Sequence, residues 1–344
     1  MKRGKLIFIG PLRLGQTPRG GDTMKNTLFL KRFREVFEIV YVVDTIDWRK
    51  KPFTMVKMLW YLAFIRNAKV VISCEEGASR IIGFLYYIRI QKDVFYWVVG
   101  SGFPTRIANG SLSPKHYSFL KRIMVQSHNM VKSLNKAGLN NALYVPNSKP
   151  IYNIPIEQHN GKTRFVFLSR ILPEKGIGLI FGCVRRLNAE GLTERFEIDF
   201  YGMIGDHYRS FEESVKDYPN VTYRGVLDLT KEAGYRQLAT YDAMLFPTFY
   251  EGEGFPGVVI DAFISALPVI ATDWHCNTEI IHDGETGFII PPKDEAALYG
   301  KMKIAIEQKE RLWPMKLVCK KEAQKYDRNN ILSEANLQRI GLLE

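Results

Sequence analysis

The feature that most constrains this 344-residue chain is an alternation of short apolar runs with helical patterns, clearest beyond residue 160. TRFVFLSR (163–170), FEIDFYG (196–202), VTYRG (221–225), DAMLFPT (242–248) and LPVIATD (267–273) read as strands. Between them, IGLIFGCVRRLNAEG (177–191), YRSFEESVKDY (208–218), KEAGYRQLATY (231–241) and PGVVIDAFISA (256–266) read as helices. Strands alternating with ten-residue helices predict βαβ units on a parallel sheet. Such crossovers are right-handed, and ligands bind beyond the carboxyl ends of the strands.

The first half follows the same plan less regularly. KLIFIG (5–10), FEIVYVVD (37–44), AKVVIS (68–73) and VFYWVVG (94–100) are buried-strand candidates, and NTLFLKRFREVF (26–37) is the helix between the first two. Near 146–162, VPNSKPIYNIPIEQHNG concentrates three Pro, three Asn and a Gly, which predicts a domain boundary. The expected division is residues 1–150 and 151–326, two modules with a cleft between them, and the length suits two domains. No uncharged apolar run approaches the roughly 18 residues of a membrane span. LIFIG near the start is too short for a signal-peptide core of roughly 7–15 residues. Cys74, Cys183, Cys276 and Cys319 show no C-x-x-C spacing, so reduced thiols rather than a zinc site are expected.

The net charge of +12 is unevenly distributed. Residues 1–150 carry 25 Lys and Arg against 8 Asp and Glu, whereas residues 151–344 carry 23 against 28. A basic front module attracts nucleic acid, anionic lipid headgroups or phosphorylated substrates, and sign alone does not choose among them. WRKKPFTMVKMLWYLAFIRNAK (48–69) puts five basic residues up to Arg66 among aromatic and aliphatic ones on a helix-length stretch. That suits an interfacial helix on an acidic membrane, or a buried helix with basic ends.

The densest motif is LFPTFYEGEGFPGVVIDAF (245–263). A strand end leads into a Gly-rich loop carrying Glu251 and Glu253, and a helix opens near Gly257. Glycines admit close backbone approach, and a helix opening offers free N–H groups and a positive dipole end to an anion. Carboxylates beside an anion site make sense for a ligand that also has hydroxyls, as a nucleotide sugar does.

This stretch resembles the Glu-x7-Glu signature of family four glycosyltransferases, with E-G-F-P-G-V-V-I-D in register at 253–261. FLSRILPEKG (167–176), FYGMIG (200–205), VTYRG and ATDWHCNTEIIHDGETGFIIPP (271–292) resemble further family blocks in the same order, as do VPNS and VVGSGFP (98–104). The resemblance implies an α/β GT-B fold: two Rossmann-like, doubly wound parallel-sheet domains facing a cleft, with a C-terminal helix (about 327–344) returning to the first. It implies retaining transfer of a hexose or N-acetylhexosamine from a nucleotide sugar, such as a UDP- or GDP-sugar, with no cofactor and no metal. Arg170 and Lys175 would hold the diphosphate and Glu253 the sugar hydroxyls. Asp261 would meet the ribose, while the amides of Gly254, Phe255 and Gly257 face the sugar and diphosphate. Gly202, Arg224 and Gly225 would line the base pocket, and Gly20 and Gly21 resemble the first domain's phosphate loop. Glu251 is included as the register alternative to Glu253. Two departures stand out: Asp261 replaces the family's usual Glu, and VVGSGFP lacks the His that many relatives carry there.

The expected acceptor is a saccharide, lipid-linked in family habit, and the expected setting is the cytoplasmic face of a membrane in surface-polysaccharide synthesis. The alternatives are an epimerase on the same scaffold, a basic nucleic-acid-binding protein, or an inactive scaffold. The first needs acid/base groups not evident here, and the second lacks a zinc knuckle, helix-turn-helix or aromatic RNA signature, so no nucleic-acid partner is expected. Retained Arg170, Lys175 and Glu253 speak against the third.

Overall fold

The structure is a computed structural model that describes residues 4–14, 21–75, 77–158, 160–206 and 208–344. The chain divides into two compact units: Met1–Ser148 with Arg328–Glu344, and Lys149–Asp327.

The first unit contains β1 (Lys5–Gly10), α1 (Gly21–Val36), β2 (Ile39–Asp44), α2 (Pro52–Phe64), β3 (Ala68–Ile72), α3 (Ala78–Tyr87), β4 (Val94–Trp97), α4 (Gly102–Ala108), β5 (Arg122–Val125), α5 (His128–Lys136) and β6 (Ala142–Tyr144). All six strands are parallel, in the order β2-β1-β3-β4-β5-β6. The order reverses between β1 and β3, so the crossover through α1 runs one way and those through α2 to α5 run the other. Right-handedness then places α1 on one face and α2 to α5 on the opposite face. Phe29 and Phe33 of α1 pack on Leu6, Phe8, Val71, Phe95 and Trp97, and the C-terminal helix Glu334–Ile340 adds Leu337 and Ile340 to the same cluster. The odd-numbered neighbours Ile7, Ile9 and Val43 are buried as well. Burial on both sides explains why these strands read as continuous apolar runs.

The second unit contains β7 (Thr163–Leu168), α6 (Ile177–Ala189), β8 (Phe196–Tyr201), α7 (Phe211–Lys216), β9 (Val221–Tyr223), α8 (Glu232–Ala239), β10 (Ala243–Phe246), α9 (Gly257–Ile264), β11 (Val269–Thr272), α10 (Asn277–Ile280), β12 (Gly287–Ile290), α11 (Glu295–Glu307) and α12 (Leu312–Ala323). Its sheet is also wholly parallel, in the order β12-β11-β10-β7-β8-β9. From the far edge that is the doubly wound order 3-2-1-4-5-6, with its switch between β7 and β10, where the fold opens a crevice for a ligand. α6 and α11 cover one face through Ile180, Val184, Leu298 and Met302. Gly287 opens β12, parallel to β11: a Cβ there would meet the Val269 carbonyl oxygen at 2.0 Å.

Candidate active site

Two loops leave the sheet of the second unit at its switch point. The loop after β7 carries Arg170 and ends in a short helical turn, Pro173–Lys175, stopped by Gly176 at φ 79°. The loop after β10 runs from Pro247 to Pro256. Gly176 lets them touch: a Cβ there would be 2.2 Å from the Pro247 carbonyl oxygen. The Phe249 amide donates to the Glu174 carbonyl at 2.8 Å, tying the loops together. Residues far apart in sequence are thus held on a rigid edge.

Lys175 is 4% exposed, and its ammonium pairs with the Glu253 carboxylate. A buried ammonium needs such a partner, because desolvation otherwise outweighs its remaining contacts. The Thr248 hydroxyl donates to the same carboxylate oxygen at 3.3 Å. The Tyr250 ring completes the arrangement, with the Lys175 ammonium 4.8 Å and the Arg170 guanidinium 5.2 Å from its centroid. The Trp274 indole donates to the Tyr250 carbonyl at 2.9 Å and fixes that backbone. Two cations and one carboxylate therefore gather around one aromatic ring, leaving one net positive charge for an anionic ligand. Arg170 is exposed and able to reach outward.

Beside this cluster α9 opens at Gly257, capped by Pro256 without any side-chain acceptor. Its first amides are those a helix leaves unpaired internally. Asp261, in the second turn, is 2% exposed: Tyr235 donates to one of its oxygens at 2.8 Å, and Lys149 pairs with the other at 2.9 Å. The Lys149 stem runs past Gly257, 3.5 Å from where a Cβ would stand. The shorter Asp is thus held inside the unit, its charge matched by a lysine from the inter-domain stretch. Each oxygen of an ionised carboxylate can accept a further hydrogen bond.

The structure brings Arg170, Lys175 and Glu253 together and places Gly254 and Gly257 next to them along the chain. Phe255 turns its ring inward, 5.8 Å from that of Tyr326. Glu251 is exposed, so the loop carboxylate facing Lys175 is Glu253. Gly202 and Gly225 form a second group at the ends of β8 and β9, the Gly202 amide donating to the Gly225 carbonyl at 2.8 Å. A Cβ on Gly202 would collide with the Ser169 carbonyl oxygen at 1.7 Å. Arg224 pairs with the buried Asp199 at 3.1 Å, which also accepts from the Tyr241 hydroxyl at 2.6 Å. In the first unit, Gly21 opens α1, and Gly20 lies outside the described residues. His116 sits among Tyr86 and Tyr87, and His128 stacks on Tyr144 at 4.0 Å. Sequence reasoning missed Thr248, Tyr250, Lys149 and Tyr235. The first two lie inside the densest motif, while Lys149 is 112 positions from its partner and left no signal. Among the described residues no group of three or more His, Cys, Asp or Glu side chains is arranged to hold a metal ion.

Residues 162–308 match the family described as "Glycosyl transferases group 1". No curated protein matches the chain. Among solved structures, sucrose-phosphate synthase from Thermosynechococcus elongatus is similar over 99% of both chains, with TM-score 0.75 and 14% identity. HepE from Anabaena in complex with UDP is similar over 98% of this chain and 99% of its own (TM-score 0.74, 14% identity). The apo lipopolysaccharide outer core galactosyltransferase WaaB is similar over 98% and 100% (TM-score 0.70, 13% identity). The chain spans only 56% of the pneumococcal O-GlcNAc transferase GtfA, determined with UDP and GlcNAc, at TM-score 0.61 and 17% identity. At these identities the structural likeness establishes the fold.

Proposed function

We propose that the chain is a glycosyltransferase of GT-B fold whose second unit carries the group 1 domain, and that it moves a hexose or N-acetylhexosamine, with retention, from a nucleotide sugar to a saccharide acceptor. The observation that carries this reading is the pairing of Lys175 with Glu253 at the switch point, beside Arg170 and the uncapped start of α9. In this reading the donor diphosphate takes the ammonium and guanidinium, which stabilise the leaving group as its negative charge grows. Glu253 accepts hydrogen bonds from hydroxyls of the transferred sugar. Asp261 keeps a ribose contact through its remaining lone pairs, and Gly202, Arg224 and Gly225 border the base. Attack comes from the face the diphosphate leaves, a phosphate oxygen taking the acceptor proton. No cofactor is required, because the fixed cations supply the positive charge. The acceptor is a lipid-linked saccharide of surface-polysaccharide synthesis, met at the inner face of the cell membrane. The attachment proposed there is peripheral; no helix among the described residues is long and apolar enough to cross a membrane.

A thermal-shift screen against UDP, GDP, ADP, dTDP and CMP tests the donor site. A ligand at 100 times its dissociation constant adds about 2.7 kcal/mol of stability. One base is expected to stand out, and no shift with any of the five would overturn the assignment.

A further inference from the structure

The outer surface of α2 conflicts with the burial expected of an apolar helix in a parallel α/β unit. Only Met58 and Leu62 are buried on it. Phe53 is 84% and Phe64 67% exposed, with Val56, Leu59 and Trp60 exposed as well. At 3.6 residues per turn, Phe53, Trp60 and Phe64 fall within about 40° of one another, opposite Leu62. Lys57 lies on the same stripe, and the rings of Trp60 and Phe64 sit 5.8 Å apart.

α3 repeats the pattern. It buries Ala78, Ile82 and Leu85 and turns Arg80, Phe84 and Tyr87 outward, Tyr87 being 72% exposed. Ile88 and Arg89 follow at its end, both exposed. Both helices belong to crossovers that run in one direction across the sheet, so they cover the same face of the first unit. Between residues 48 and 92 the chain has nine Lys and Arg and only two acids, Glu75 and Glu76. Glu75 lies between β3 and α3, and neither helix carries a carboxylate.

We propose that α2 and α3 together form a docking face for an anionic phospholipid bilayer, with the rings of Phe53, Trp60, Phe64, Phe84 and Tyr87 in the headgroup–acyl boundary and Lys57, Arg80 and Arg89 against the phosphates. This deepens the acceptor side of the reading above by naming the surface that meets the membrane. At about 1.5 Å per residue α2 is roughly 20 Å long, too short to span and suited to lying in the interface plane. Charge argues for lipid over a second copy of the chain: self-association would press one carboxylate-free basic stripe against another. Basic side chains keep their heads in the phosphate layer while their stems cover apolar surface.

The test is co-sedimentation of the full chain with phosphatidylcholine vesicles, with and without phosphatidylglycerol. Binding is expected only with the anionic lipid and is expected to fall on the order of fivefold for each cation removed in Arg80→Gln and Arg89→Gln. Trp60 emission should shift to the blue on binding, and Trp60→Phe should lose that change. Phe53→Ser/Phe64→Ser alters only exposed residues and should abolish binding while leaving the nucleotide thermal shift intact. Failure of docking is thereby separated from failure of the donor site. Equal recovery on neutral and anionic vesicles, or undiminished binding by the Ser variant, would overturn the proposal. So would a dimer in light scattering that the same substitutions dissolve.

Discussion

The Lys175–Glu253 pair makes two predictions of opposite sign from one substitution. Glu253→Gln keeps the shape of the loop but leaves the Lys175 ammonium, 4% exposed, without a counter-charge. Breaking a buried pair costs about 3–5 kcal/mol, and the lower end applies because the Glu253 side chain keeps 13% of its surface. At roughly 2–4 °C per kcal/mol for a unit of this size, the unliganded melting temperature should fall by roughly 6–12 °C. Lys175→Met/Glu253→Gln removes both charges and keeps the apolar stem under Tyr250. It should recover about 2 kcal/mol relative to the sum of the single losses. Donor binding should run the other way. With Glu253 neutral, the ammonium belongs to the diphosphate alone, so nucleoside diphosphate affinity is kept or increased while sugar transfer is lost. Lys175→Met should weaken both. The assays are chemical denaturation of the four proteins, titration with the nucleotide chosen by the thermal-shift screen, and transfer from the matching donor. Additive stability losses, or equal loss of diphosphate affinity in Glu253→Gln and Lys175→Met, would show that the pair is neither buried in effect nor shared with a phosphate.

Lys149→Met should destabilise the second unit by about 3 kcal/mol, because Asp261 would be left ionised and buried with only the Tyr235 hydroxyl. Adding Asp261→Asn should restore most of that in the same denaturation assay, and a Lys149→Met variant as stable as the parent would refute a structural pair. In the first unit, burial lowers the Lys25 pKa to about 7, while its ammonium donates to the Val98 carbonyl at 3.1 Å. Between pH 7 and the ordinary lysine value near 10.5 the unfolded chain binds a proton that the folded one does not, so stability should rise with pH above about 7. Above pH 9, Cys74 and Tyr117, each pushed up to about 12 by burial, work against that rise. Urea midpoints at pH 6, 7.5 and 9 should therefore climb in the parent and stay flatter in Lys25→Met, and parallel trends would remove Lys25 as the cause.

What could be read from the sequence was whatever depends on local pattern or on residues adjacent in the chain. The runs at 163–170, 196–202 and 267–273 announced themselves because a strand covered on both faces must be apolar throughout. The strands at 122–125, 142–144 and 287–290 did not. RIMV and ALY are too short to show a period, and GFII begins with a glycine whose need is visible only in the Val269 carbonyl packed against it. The segment 48–69 shows the same limit from the other side. Composition left a buried helix and an interfacial one equally open, and which flank of α2 meets the sheet is decided by crossover direction, a property of strand order rather than of the helix. In the site, Glu253 was legible because its loop, glycines and helix opening are contiguous. Its partnership with Lys175 was not, since it depends on β7 and β10 being neighbours in the sheet while three helices and two strands separate them in the chain. Asp261 carries the argument furthest. From sequence it is a Glu shortened by one methylene; in the fold it is a buried charge matched by Lys149. Lengthening it to Glu in place would drive the carboxylate into Lys149 and Tyr235, so Asp261→Glu should have a lower urea midpoint than the parent unless Lys149 is shortened with it.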